Sequence, residues 1–400
     1  MRRRNQIAVA ASITWVLYIC GSFAVAYLLG LVPWEINHAR AIILYETNHA
    51  PEAERALITA NRLLIPSRLY NLPRRLTLNR LGKTEIELGE YAEAEQAYRQ
   101  LLAIVDKKHA SESSRTARAL IGLAQACRHQ GKPAEAESLY LRAVSIRQKI
   151  YGSDSTQYAS ALQGLGRTYV MESKLSQGDR ALTQAVAIFE KQKPNSTSLG
   201  YALEDLADCR FQQKRYREAE ALCRQSLSIE RITKADPLDE AVTIHRLALI
   251  YTAEKRYDDA ARFYQQALAA ETRICGEDSI RVANIQVEFA GNYRKQKKYR
   301  ESEALLRQAA YVYSRLAPDS MLYGCTLFCL GTDCYKQKKY ADAAVALERA
   351  LAVYATSHDN HPLYRNSILE GLAKCYDKLG RPSDADKYRK QLSAFRQSKK

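Results

Sequence analysis

One position recurs along this chain every 41 or 42 residues. It is occupied by Tyr91, Pro133, Leu175, Tyr216, Tyr257, Tyr299, Tyr340 and Pro382. Ten residues before each stands a large apolar residue, at Leu81, Leu123, Leu165, Leu206, Leu247, Phe289, Leu330 and Leu372, always followed by Gly or Ala. Three residues after each stands a small one, at Ala94, Ala136, Gly178, Ala219, Ala260, Ser302, Ala343 and Ala385. A fourth ladder runs through Leu101, Ala143, Ala185, Ser226, Ala267, Ala309, Ala350 and Leu392. Apolar residues on both sides of the anchor fall at three- and four-residue steps, the helical period. The unit is therefore two helices joined by a short turn, with small residues where the helices must approach. One such pair cannot bury its apolar face alone, whereas a stack of pairs buries a continuous core. Scarce Pro (10) and Gly (17) in 400 residues also point to helices rather than turn-rich β structure.

The anchor explains a repeated basic pentapeptide, Lys-Gln-Lys-Lys-Tyr, at 295–299 and 336–340. It closes the first helix of a unit, where cations complement the helix dipole. Lys214, Arg215, Lys255, Arg256, Lys297, Lys298, Lys338 and Lys339 are thereby expected along one edge of the stack. Such an edge suits anionic lipid, glycan or an acidic protein. It lacks the interleaved aromatics of a single-strand nucleic-acid platform, so nucleic acid is not an expected partner. The Glu-Ala-Glu runs at 93–95, 135–137 and 218–220 open second helices, where acids suit the N-terminus.

These marks resemble the tetratricopeptide repeat: in the fifth unit they are Leu247-Ala248, Tyr251, Ala260, Tyr264 and Ala267. The long period and the inter-unit His361-Pro362 are similar to the kinesin-light-chain subtype. The resemblance spans eight units over 76–396 and implies an all-α, right-handed superhelix (an α-solenoid). A degenerate pair and proline break, 34–73, is expected before them as a cap, with Ala53 and Ala60 lying 41 residues before Ala94 and Leu101. The third unit, with Leu175 and Gly178 at its turn, is expected to pack less tightly. The resemblance further implies a concave groove lined by first helices. Its candidate binding residues are Arg80, Lys83, Arg118, Gln125, Arg167, Glu204, Asp208, His245, Arg246, Asn284, Arg294, Lys374 and Lys378. The first three units are basic there and the fourth acidic. The lysine, asparagine and arginine set with which chaperone-binding relatives clamp a terminal carboxylate does not occur at its expected spacing.

Before the repeats lies a different kind of segment. Residues 1–6 carry Arg2, Arg3 and Arg4, and Ile7–Val32 is an uncharged, largely apolar run of 26 residues. About 20 apolar residues cross a bilayer, so this run is expected to be a transmembrane signal anchor touching the lipid bilayer. The arginines place the N-terminus in the cytoplasm and the repeats on the far, extracytoplasmic side, as at a bacterial inner membrane. A signal peptide cleaved after Ala24-Val25-Ala26 is the alternative, and would leave a secreted protein.

No catalytic motif stands out. Walker, Gly-x-Ser-x-Gly, His-Glu-x-x-His and dinucleotide signatures are absent, and neither a cofactor nor a metal is expected. Nine cysteines without Cys-x-x-Cys spacing suit core positions, with Cys325 and Cys329 the one pair a helical turn apart. Cys275 is expected exposed in an inter-unit loop. The expected function is a membrane-anchored scaffold that binds partner proteins or peptide segments, not an enzyme. A cytosol-facing, kinesin-light-chain-like adaptor tethered to the membrane is the other reading. The oligomeric state is left open.

Overall fold

The computed structural model describes residues 32–46, 50–63, 71–106, 112–356 and 362–397. Among them are eighteen α-helices and no strand. The proposed anchor Ile7–Val32 lies outside the described residues save for Val32. None of the described helices is long and apolar enough to cross a membrane. The chain forms two bodies, divided at Pro194 and Asn195.

The N-terminal body holds α1 (Val32–Glu46), α2 (Ala50–Leu63), α3 (Asn71–Leu88), α4 (Tyr91–Asp106), α5 (Ser114–His129), α6 (Pro133–Tyr151), α7 (Thr156–Met171) and α8 (Leu175–Gln192). The C-terminal body holds α9 (Thr197–Gln212), α10 (Tyr216–Thr233), α11 (Pro237–Ala253), α12 (Tyr257–Cys275), α13 (Ile280–Lys295), α14 (Tyr299–Leu316), α15 (Met321–Lys336), α16 (Tyr340–Thr356), α17 (Pro362–Lys378) and α18 (Pro382–Gln397). Each successive pair is one unit, and every recurring anchor residue is the first of a second helix. The α1–α2 pair precedes the regular units, with Ala53 and Ala60 wholly buried. One boundary differs from expectation. The first regular helix starts at Asn71 rather than 76, because Pro73 falls in its first turn, where no intrahelical donor is lost.

Local chemistry sets the ends. Ser113, Ser155, Ser196, Asp236, Ser279 and Ser320 cap first helices, each side-chain oxygen accepting a backbone N–H of the opening turn. First helices close on a left-handed residue two positions before the anchor: Gly89, Gly131, Ser173, Lys214, Lys255, Lys297, Lys338 and Gly380, with φ between 59° and 81°. At the second of these, Gly131 N–H donates to the Arg128 carbonyl and Lys132 N–H to the Cys127 carbonyl, the Schellman pattern. The basic pentapeptide thus encodes a turn with lysine where glycine is easiest.

The ladders are the core. All eight large apolar residues are buried, from Leu81 to Leu372, and so are the small residues facing them, from Ala94 to Ala385. The expected looseness of the third unit is not found. Gly178 is buried, and a Cβ placed on Gly166 would sit 2.6 Å from Leu182 Cγ and 3.4 Å from the Gly178 carbonyl. The approach matches that of the seventh unit, where a Cβ on Gly331 would sit 2.7 Å from Leu347 Cγ and 3.2 Å from the Ala343 carbonyl, so Gly166 rather than Gly178 leaves room for it. Cys275 is likewise not in a loop: it ends α12, half-buried, with Sγ 3.6 Å from Glu271. The eight described cysteines are free thiols, five of them buried.

Candidate protein-binding faces

In the N-terminal body the first helices present Arg80 and Gln125 half-buried, and Lys83, Arg118 and Arg167 exposed. Lys83 is paired with Glu87 at 3.6 Å. Exposed guanidiniums here bear on their neighbours. Burial and Arg115 hold Arg75 below the ordinary arginine range. Burial chiefly, and Arg118 also, do the same to Arg147. Burial, Arg128 and Arg167 keep His129 low. A 90 Å³ cavity opens among Arg75, Asn79, Arg115, Arg118 and the apolar Leu101 and Val105. This face offers positive charge beside small apolar ground.

The C-terminal body is arranged differently, because its polar groups are spent on each other. Arg246 lies 3.0 Å from Glu204 and 3.0 Å from Asp208, tying α11 to α9. Glu204 is buried, and burial drives its carboxyl upward against the pull of Arg246. Beneath it the Thr243 hydroxyl lies 3.2 Å from Glu204 and 2.8 Å from the buried Glu230, and Ser226 lies 2.8 Å from Glu230. His245 pairs with Glu288 at 2.5 Å, and the Tyr313 hydroxyl donates to Asn284. These groups border a cavity of about 410 Å³ together with Arg281 and Glu271, themselves paired at 2.7 Å. Arg294 bridges Asp333 at 2.8 Å and Cys329 Sγ at 2.9 Å. Lys374 and Lys378 are exposed on α17. Spacing alone did not reveal that Glu204, Asp208, His245, Arg246 and Arg294 are held in intramolecular pairs, because their partners sit 35 to 43 residues away.

All eight residues of the basic edge are exposed. Their two columns do different things. Lys214, Lys255, Lys297 and Lys338 take the left-handed turn position. The residue after each makes ion pairs: Arg215 with Glu218 at 2.7 Å, Arg256 with Glu220 at 3.4 Å, Lys298 with Asp258 at 3.8 Å and Lys339 with Glu303 at 2.7 Å. The first column alone keeps its charge toward solvent.

Sequence reasoning missed a polar frame built twice. Glu95 receives Arg99, Gln130 and Lys132. Glu303, at the same repeat position, receives Arg307, Gln337 and Lys339. Lys132, the largest influence, helps hold Glu95 at about 2; burial opposes it, and Arg99 and Gln130 assist. For Glu303, burial is the largest influence, but the three donors outweigh it and hold it near 2. Glu95 with Cys127 and Glu135, and Glu303 with Cys334 and Asp342, gather donor atoms closely enough for a metal ion. The chemistry does not fit. The carboxylates already carry cations, and burial first, with the nearby carboxylates, pushes both thiols up to about 11, away from the thiolate a metal needs. These frames brace one unit against the next.

The sequence profile of the tetratricopeptide repeat matches residues 74–149, 115–191, 198–273, 239–315 and 281–356. Among solved structures, BtubC (BKLC) from P. vanneervenii is 25% identical, over 57% of this chain and 91% of that one, with a TM-score of 0.50. The STAND signal-transduction ATPase with a tetratricopeptide repeat sensor from Pyrococcus horikoshii gives a TM-score of 0.67 at 16% identity, covering 90% of this chain and 53% of that one. Aspartyl phosphate phosphatase F from Bacillus subtilis gives 0.54 at 14%, covering 92% and 94%. The last two are likenesses of fold alone. No curated protein matches the sequence.

Proposed function

Because the chain belongs to the tetratricopeptide repeat family, we propose that it is a scaffold whose N-terminal body binds acidic segments of partner proteins on its first helices. The observation that carries this is the grouping of Arg75, Arg115 and Arg118 around a small apolar cavity, where burial first and then the Arg115 charge hold Arg75 low. A carboxylate among them relieves that repulsion, and guanidinium forks bind carboxylates in pairs. The C-terminal body offers a nearly self-neutralised polar wall instead. It suits contact by shape rather than by net charge.

The test is fluorescence anisotropy with a labelled decapeptide rich in Asp and Glu, on the full chain kept soluble with non-ionic detergent. Binding should weaken with salt and fall about tenfold, or 1.4 kcal/mol, on Arg118→Glu. Equal binding of a neutral peptide, or no effect of Arg118→Glu, rules the reading out.

The apolar run Ile7–Val32 motivates the location: a membrane anchor, N-terminus inside, with the repeats on the opposite side. Retention in membranes after alkaline washing, and protease access to the repeats in intact spheroplasts, supports it. A soluble product starting near Tyr27 establishes cleavage, and protection until lysis establishes the cytosol-facing adaptor.

A further inference from the structure

At seven turns the residue just before the second helix is a cation: Lys132, Lys174, Arg215, Arg256, Lys298, Lys339 and Arg381. Where the preceding unit provides a carboxylate, the ammonium reaches back to it: Lys132 to Glu95 at 2.8 Å, Lys174 to Glu137 at 2.6 Å, Lys339 to Glu303 at 2.7 Å. The junction of α2 with α3 and α4 breaks this rule. There the residue before the second helix is Glu90. The position five residues earlier, held elsewhere by Cys127, Tyr169, Arg210, Tyr251, Tyr293, Cys334 and Tyr376, is here the buried Glu85, its one acidic occupant among the eight regular units. Glu54 stands where Glu95 and Glu303 stand in their units, and Glu93 where Glu135 and Asp342 stand. Ile58 and Leu88 replace the Arg99 and Gln130 that donate to Glu95 in its frame. Four carboxyls thus form a frame that later in the chain encloses a lysine.

Glu85 is only 4% exposed, and its Oε2 has no hydrogen-bond partner. Burial, then Glu54, Glu93 and Glu90, push its carboxyl up to about 8. Burial raises Glu54 too, with a hydrogen bond to Glu90 and the charges of Glu90 and Glu93 adding to it, opposed by Arg55 on the exposed side of α2. Ionising a buried carboxyl without a partner is costly, so the site gains from a cation that lets Glu85 ionise.

We propose that this junction receives a lysine or arginine side chain from a basic segment of a partner polypeptide, in the place the chain's own lysine holds at later junctions. The internal copies supply the geometry: an ammonium at hydrogen-bond distance from a carboxylate, flanked by a second acid. Among the described residues these four carboxyls are not one of the tight donor sets that would suit a metal. A long cationic side chain reaches between rim acids and a buried one without drawing them together. The frame is also an acidic point on a chain of net charge +16, so a basic segment is repelled elsewhere and held here.

The experiment is calorimetric titration of pentalysine into the full chain in non-ionic detergent at low salt, with calcium chloride titrated in parallel. One saturable pentalysine site is expected, weakened about tenfold or more by Glu85→Gln and by Glu90→Lys. Glu90→Lys rebuilds the later frames, so it should also raise the melting temperature. That rise separates an occupied site from a damaged fold. Binding of the acidic decapeptide should survive Glu90→Lys, so the two readings fail separately. The proposal is overturned if pentalysine does not saturate one site, if Glu90→Lys leaves its affinity unchanged or lowers the melting temperature, or if calcium binds one-to-one and pentalysine does not.

Discussion

Two glycine-to-alanine changes in first helices should act with opposite signs. Gly122 on α5 faces Tyr98 of α4: a Cβ there would lie 2.2 Å from Tyr98 Cζ and 2.3 Å from Cε1. The ring cannot retreat, because a Cβ on Gly82 of α3 would meet its other edge at 2.6 Å, and Tyr98 is 5% exposed. Carbon atoms rest about 3.5–4.0 Å apart, so α5 must move by more than 1 Å. Overpacking of this kind costs about 1–3 kcal/mol, and the better helix propensity of Ala returns about 1. With the ring held from both sides the upper end applies, and Gly122→Ala should destabilise by about 1–2 kcal/mol net. Gly291 on α13 meets nothing within 4 Å, so Gly291→Ala should stabilise by about 1 kcal/mol. Urea titration followed by circular dichroism, with hydrogen exchange to locate the change, reads both, since stacked repeats need not unfold in one step. Tyr98→Leu in the Gly122→Ala background should recover part of the loss. Should Gly122→Ala stabilise as much as Gly291→Ala, the close approach of α5 to Tyr98 is wrong.

Lys255→Gly should raise stability by about 0.5–1 kcal/mol, since Lys255 holds φ 64°; a thermal melt with no rise would deny the turn its strain. Glu303→Ala should cost about 1–3 kcal/mol by orphaning Lys339, Arg307 and Gln337, whereas Glu301→Ala, on the same helix but exposed, should lie within about 0.5. For Glu85 the folded pKa is raised from 4.5 to about 8, so its contribution is fully present below 4.5 and is lost as pH climbs through 8. Glu85→Gln should remove a decline in stability between those limits of up to about 5 kcal/mol, read as urea midpoints across pH. An unchanged slope would mean that Glu85 is ionised in the fold.

How much of this was legible in sequence depends on period. Leu81 to Leu372 and Ala94 to Ala385 recur at fixed offsets, and a stack repeats its core, so the register of the regular helices followed directly. The start of α3 did not follow, because Pro73 looks like a breaker and is tolerated in an opening turn. Gly178 misled for a related reason: a small residue was read as weak packing, yet it is buried and its helix pair approaches as closely as the one with Ala343 in its place. Among the candidate binding residues, charge and helix position were visible, while pairing was not. Arg246 looks as free as Arg118 in sequence; only the stack shows that Glu204 and Asp208 occupy it. Had each unit been aligned on charge as well as on size, Glu90 would have stood out, since the other seven units place Lys or Arg there.

That exception joins the two functional readings. A repeat stack fixes its units by ion pairs that cross each junction, so the charges left for partners are those the pairing omits. In the N-terminal body the omissions have opposite signs. Arg75, Arg115 and Arg118 on first helices group around a small apolar cavity. Glu54, Glu85, Glu90 and Glu93 at the first junction have no lysine among them. A partner segment carrying both acidic and basic residues could engage both features, and the two contacts would then add through effective concentration rather than new surface. A peptide joining an acidic stretch to a lysine stretch should therefore bind more tightly than either alone, by about tenfold or more, if its linker spans the two features. Both Arg118→Glu and Glu90→Lys should reduce that gain separately. If the joined peptide binds no better than the acidic stretch by itself, the basic face and the acidic junction serve different partners.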